Sequence, residues 1–92
     1  MSDKRVHAIV HGRVQGVFFR DYTKRKAEQL GLNGWVRNLP DRTVETVFQG
    51  ESGRVDDMTR WLYTGSPQSE VTEVNVHEEK PGDELPGFII RY

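Results

Sequence analysis

A glycine-bearing loop at residues 12–20 holds the residues whose types and spacing could do chemistry. It reads Gly-Arg-Val-Gln-Gly-Val-Phe-Phe-Arg and joins a predicted strand to a predicted helix. Gly16 permits a positive φ, so consecutive backbone N–H groups can turn towards one point. No Ser, Thr or Asn stands where it would cap the helix, and a bound anion would satisfy the first N–H groups instead. Arg20 could add two parallel hydrogen bonds to phosphate oxygens.

The loop residues alone leave two interpretations open. One is a phosphate-binding loop, and the other is an ordinary tight turn between a strand and a helix, followed by a surface arginine. Which residues could join such a site depends on the elements around the loop.

Hydrophobic periodicity predicts five strands and two helices. The strands are expected at about 5–12, 35–38, 43–49, 71–79 and 88–92, and the helices at about 20–30 and 53–64, with a loop at 81–87. Val6, Ala8 and Val10 alternate along the first strand and indicate its buried face. The largest side chains expected to fill the core are those of Trp35, Phe48 and Trp61.

The order β-α-β-β-α-β plus a short terminal strand is typical of the ferredoxin-like α+β fold. This fold is a two-layer sandwich with two helices on one face of an antiparallel sheet. Its first two strands run parallel with the third between them, so their carboxyl ends share one edge. The loop at 12–20 and Asn38 are therefore expected to be neighbours. No linker or repeat divides residues 1–92, which are expected to form a single domain.

Composition and charge argue against several classes of function. The chain has 92 residues, no cysteine and a formal net charge of −1. The lack of cysteine excludes disulfides, thiolate nucleophiles and Fe–S clusters. The near-balance of charge argues against a nucleic-acid partner or a polybasic membrane module, and no apolar run approaches the ~18–20 residues of a membrane span. We expect a small, monomeric, cytoplasmic protein without nucleic-acid or membrane partners.

Two separate stretches resemble signatures of the acylphosphatase family. The loop at 12–20 resembles the family's phosphate loop, and Gly34–Asn38 with Asp41 and Val44-Glu45 resembles its second signature. The helix stop at 65–67, residues 71–74 and the terminal segment 88–92 are similar to the family as well.

The resemblance implies an enzyme that hydrolyses the carboxyl–phosphate bond of small acyl phosphates to a carboxylate and inorganic phosphate, without a metal or other cofactor. It places the catalytic residues at Arg20 and Asn38. The implied phosphate-binding residues, through their backbone amides, are Gln15, Gly16, Val17, Phe18, Phe19 and Arg20. The turn after Asn38 departs from the family pattern, because Arg42 stands where a glycine is usual. A turn without glycine could change how the strand end holds Asn38.

The reaction implied by the resemblance needs little activation of the substrate. An acyl phosphate has a good leaving group, so the site must hold the phosphoryl group, stabilise its charge and place a water in line. Asn38 does not ionise in water, so its carbonyl oxygen is expected to orient the attacking water while the proton passes to the substrate.

Other groups of residues point to alternative sites. His7, His11 and His77 could ligate a metal, but a four-residue step along a strand is about 13 Å, too long for both His7 and His11 to reach one ion. Phe18 and Phe19 could stack bases, but the central strands lack the aromatic pairs of RNA-binding modules with this fold. We expect Phe18 to pack within the loop and Phe19 within the core.

Charged residues near the loop have two interpretations as well. Lys24, Arg25 and Lys26 could attract an anionic substrate or form a solvated helix face. Asp21 in the first helical turn would repel a phosphate, so we expect it to point away.

The alternative function is a non-catalytic module that binds phosphate or carbamoyl phosphate, but the presence of both Arg20 and Asn38 favours an enzyme.

Overall fold

The computed structural model describes residues 3–82 and 86–92. Its elements are β1 (Asp3–Arg13), α1 (Phe19–Gln29), β2 (Asn33–Asn38), β3 (Val44–Glu51), α2 (Ser52–Thr64), β4 (Glu70–Glu79) and β5 (Phe88–Arg91). All seven predicted elements are confirmed, with each end within about two residues of its expected position. The predicted loop at 81–87 includes residues 83–85, which lie outside the described residues.

The strands form one sheet in the order β4-β1-β3-β2-β5. β1 pairs antiparallel with both β3 and β4, and β2 pairs antiparallel with β3. β1 and β2 therefore run parallel with β3 between them, as the topology predicts. β5 adds to the outer edge of β2 in the parallel direction, so the sheet is mixed, whereas the sequence predicted an antiparallel one.

The core lies between the sheet and the two helices. Val6, Ala8 and Val10 are buried on β1 and alternate with more exposed residues, because successive side chains of a strand point to opposite faces. The helices contribute buried stripes at helical spacing. These stripes are Phe19, Thr23 and Ala27 on α1 and Val55, Met58 and Leu62 on α2. Among the residues described, neither helix is long and apolar enough to cross a membrane.

The two tryptophans differ from their predicted place in the core. Trp35 lies on the helix-free face, where the guanidinium groups of Arg37 and Arg91 lie 5.4 and 4.8 Å from its ring centre. The core position of β2 belongs to the fully buried Val36, because adjacent residues of a strand cannot share a face. Trp61 is half-buried and packs against the core, with its ring centre 5.8 Å from that of Phe19.

The turn between β2 and β3 accommodates Arg42 through backbone strain. Arg42 has a φ of 74°, in the left-handed region that favours glycine. Thr43 donates its N–H and its hydroxyl to Asp41 Oδ1 at 3.0 and 2.5 Å, and these hydrogen bonds hold the pKa of Asp41 below its ordinary value. Asn38 stays paired with Val44. The missing glycine therefore leaves the end of β2 in register.

Replacing Arg42 with glycine is expected to raise the free energy of unfolding by about 0.5–1 kcal/mol. A left-handed L-residue costs about 1–2 kcal/mol, and the greater freedom of glycine in the unfolded chain offsets part of that gain. Urea denaturation measures the difference. Arg42→Ala keeps the Cβ and is the matched control. A glycine variant no more stable than the alanine variant would contradict strain at this residue.

Candidate active site

A cavity of about 290 Å³ opens at the sheet edge where β1 and β2 end. Its walls come from the loop after β1, the first turn of α1, the end of β2 and the terminal segment. The lining residues are Val14, Gly16, Phe18, Phe19, Arg20, Asp21, Asn38, Ile90 and Tyr92. The structure thus brings Asn38 and four of the six predicted phosphate-binding residues, Arg20 among them, to one cavity. Gln15 and Val17 do not line it.

The loop before α1 presents unsatisfied backbone donors. Gly16 has a φ of 75°, as its residue type predicts. Phe18, at the N-cap, also takes the left-handed conformation, with φ 58° and ψ 25°, and no side chain caps the helix. Among the residues that the structure describes, no group accepts the N–H groups of residues 15–20. These donors and the positive end of α1 favour an anion.

Two side chains outside the helix hold this loop in place. The Gln15 amide donates from Nε2 to the carbonyl oxygens of Leu39 and Thr43, both at 2.9 Å. The buried Ser66 hydroxyl, just after α2, donates to the Val17 carbonyl at 2.9 Å. Sequence reasoning assigned Gln15 only its backbone amide and did not single out Ser66. The sequence signal for an anchoring role of Gln15 is its position, a polar residue next to the turn at Gly16.

Arg20 is half-buried and carries the positive charge of the cavity. Its guanidinium lies 4.9 Å from the ring centre of Tyr92, a cation–π contact that leaves its N–H groups available. Within residues 3–82 and 86–92, no carboxylate forms an ion pair with it. The guanidinium is therefore available to an anionic ligand.

Asn38 contributes an unpaired acceptor. Its Oδ1 is buried and has no hydrogen-bond partner among the described residues. Leaving a buried acceptor unpaired costs about 1–3 kcal/mol, so native structures rarely do so without a reason. Because Asn38 lines the cavity, a rotation of its side chain would bring this oxygen to a bound donor such as a water molecule.

One of the aromatic residues of the loop is placed differently from expectation. Phe18 does not pack within the loop, since 69% of it is exposed at the cavity. Phe19 is buried in the core, as predicted. Asp21 is exposed and is one of the lining residues, and the direction of its carboxylate relative to a bound phosphate stays a prediction.

The three histidines lie on the helix-free face, away from the cavity. His7 is hydrogen-bonded to Glu45 at 2.7 Å, and His11 to Asn75 at 2.7 Å. Burial would raise the pKa of Glu45, but hydrogen bonds from His7 and Arg37 outweigh it and lower the pKa below its ordinary value. In the described part of the chain, no group of three or more potential ligand residues could hold a metal ion.

The comparison with known proteins decides the family. A family model described as acylphosphatase matches residues 6–90. This chain belongs to the acylphosphatase family.

Individual acylphosphatases are similar over most of their length. The acylphosphatase of Rubrobacter xylanophilus is 54% identical over 88 residues, which are 96% of this chain and 80% of that protein. The structure of an acylphosphatase from Coxiella burnetii has a TM-score of 0.92 at 43% identity and covers 97% of this chain and 93% of its own. The acylphosphatase from Bacillus subtilis has a TM-score of 0.93 at 35% identity and covers 97% and 99%. These matches confirm the two-layer α+β fold.

Gln15→Ala is expected to lower the free energy of unfolding by about 1–2 kcal/mol, because the two partly buried hydrogen bonds from the Gln15 amide to the Leu39 and Thr43 carbonyl oxygens are lost. The backbone of the loosened loop should also become more mobile on the picosecond-to-nanosecond timescale. Urea denaturation and ¹⁵N relaxation at residues 15–20 measure the two effects. The matched control is Gln29→Ala on the exposed side of α1. Equal behaviour of the two variants would contradict the anchoring role of Gln15.

Proposed function

We propose that this protein is an acylphosphatase with Arg20 and Asn38 as its catalytic residues. It hydrolyses the carboxyl–phosphate bond of small acyl phosphates to a carboxylate and inorganic phosphate. The observation that carries the proposal is the meeting of unsatisfied loop N–H groups, an unpaired guanidinium and the unpaired Asn38 oxygen in one cavity of a family member.

The loop and Arg20 hold the phosphoryl group. The backbone amides of residues 15–20 donate to its oxygens, and the Arg20 guanidinium adds two parallel hydrogen bonds. Their positive character offsets the charge that spreads over the equatorial oxygens as the bond breaks. Because these groups supply the charge stabilisation, the mechanism needs no metal ion.

Asn38 places the nucleophile. Its Oδ1 accepts a hydrogen bond from a water molecule, which positions the water oxygen in line with the phosphorus. The water oxygen bonds to phosphorus, the bond from phosphorus to the acyl oxygen breaks, and the carboxylate leaves. The water proton passes to a phosphoryl oxygen of the substrate, since Asn38 cannot take it up in water.

The domain organisation, oligomeric state, location and partners of the enzyme are predictions from its sequence. Residues 1–92 as one domain, a monomeric state, a cytoplasmic location and the lack of nucleic-acid partners belong to this proposal. One sheet and one continuous core that carry the whole cavity support a single domain. This chain aligns with most of the length of each acylphosphatase compared, which favours the enzyme over a phosphate-binding module.

Asn38→Ala is expected to lower kcat by about 10²–10³-fold while inorganic phosphate still binds, because the variant loses its hold on water but keeps the loop. Phosphate release from acetyl phosphate, measured in EDTA, gives kcat, and competitive inhibition gives phosphate affinity. Wild type should keep its activity in EDTA, because the proposed mechanism uses no metal ion. The control variant for Asn38→Ala is Asn75→Ala on β4. Loss of phosphate binding together with turnover would contradict the positioning of water.

Arg20→Gln is expected to abolish both turnover and phosphate inhibition, because the two charged hydrogen bonds disappear. Arg25→Gln makes the same change on an exposed position of α1 and should alter either quantity by no more than about twofold. Phosphate inhibition that persists in Arg20→Gln would show that another group holds the phosphoryl moiety.

A further inference from the structure

Asp21 brings a negative charge to a cavity built for an anion. It is in the first turn of α1, is exposed and lines the cavity next to Arg20. Among the described residues it takes part in no salt bridge. An unpaired carboxylate at this place repels anions, so it calls for an explanation in terms of the substrate.

The positive charges further along α1 do not cancel this carboxylate. Lys24 donates to Glu28 at 2.6 Å and to the Phe88 carbonyl at 3.0 Å, and the Arg25 guanidinium lies 5.2 Å from the ring centre of Tyr22. Neither of them lines the cavity, and neither does Lys26. Among the side chains of the lining residues, those of Arg20 and Asp21 are therefore the charged ones at neutral pH.

The remaining wall of the cavity is apolar or aromatic. Phe18 and Tyr92 are 69% and 98% exposed, and Ile90 lies in the same lining. When the phosphoryl group occupies the loop amides and Arg20, the acyl group must meet what is left of the lining. It is then exposed to apolar surface and to the field of Asp21.

We propose that Asp21 is a specificity-determining residue that selects acyl phosphates with an uncharged acyl group over those whose acyl group bears a further carboxylate. This inference rests on the proposed function and deepens it. Every acyl phosphate carries the same phosphoryl group, so repulsion of that group by Asp21 cancels when two substrates are compared. Repulsion of a second carboxylate does not cancel.

A pair of rigid substrates isolates this effect. 4-Carboxybenzoyl phosphate and 4-methylbenzoyl phosphate have similar shape and differ in one negative charge. Wild type should show a higher kcat/KM for the methyl compound. Asp21→Asn should reduce that preference by roughly three- to tenfold, mainly through a lower KM for the carboxyl compound. Intrinsic reactivity differs between the substrates but not between the variants, so it drops out of the comparison.

Three further measurements separate charge selection from helix stabilisation, which an acidic residue in a first turn also provides. Asp21→Glu keeps the charge and should keep the wild-type preference. Asp57→Asn makes the same neutralisation on α2, away from the cavity, and should leave it unchanged. Added salt should weaken the preference of the wild type more than that of Asp21→Asn, because ions screen the repulsion.

The outcomes distinguish this inference from the proposed function. If wild type hydrolyses 4-methylbenzoyl phosphate and Asp21→Asn shows the same preference, the inference is wrong and the proposed function stands. If folded wild type hydrolyses neither compound nor acetyl phosphate, the proposed function fails, and the inference fails with it.

Discussion

The first turn of α1 leaves backbone N–H groups that no described part of the protein accepts, and the rest of the site depends on this. A helix usually satisfies such donors with a capping oxygen. Here the N-cap residue is Phe18, which has no such oxygen and sits in a left-handed conformation. The donors and the positive end of the helix therefore face the cavity. An anion is the partner that this arrangement stabilises.

The strand order brings Asn38 to the loop. Because β3 separates the parallel strands β1 and β2, their carboxyl ends meet at one edge, and Asn38 comes to the loop. The hydrogen bonds of Gln15 and Ser66 tie the loop to the β2–β3 turn and to the end of α2. Strained backbone at Phe18 and Arg42 can persist because the structure around it is firmly held. The site is thus prepared before a ligand arrives, which is the basis of electrostatic catalysis.

The sequence predicts most of this architecture, and its failures have physical causes. The alternation at Val6, Ala8 and Val10 predicts β1. Gly16 with an uncapped helix start leaves a phosphate loop and an ordinary tight turn both open, and the resemblance to the acylphosphatase signatures is what favours the phosphate loop. The prediction that Trp35 lies in the core is wrong because the neighbouring Val36 is apolar too. Over so short a strand, hydrophobic periodicity does not show which of the two residues faces the core. The side-chain contacts of Gln15 and the exposure of Phe18 follow from tertiary placement of the loop, which no local pattern encodes.

The most direct measurement is a titration of the ¹⁵N-labelled protein with inorganic phosphate, followed by amide resonances in two-dimensional NMR. We expect saturable shifts at the backbone amides of residues 15–20 and at the side-chain amide of Asn38. Residues of the helix-free face, such as His7 and Trp35, should stay unchanged. Shifts centred on that face, or loop amides that do not respond while phosphate binds, would contradict the meeting of these donors on one phosphoryl group.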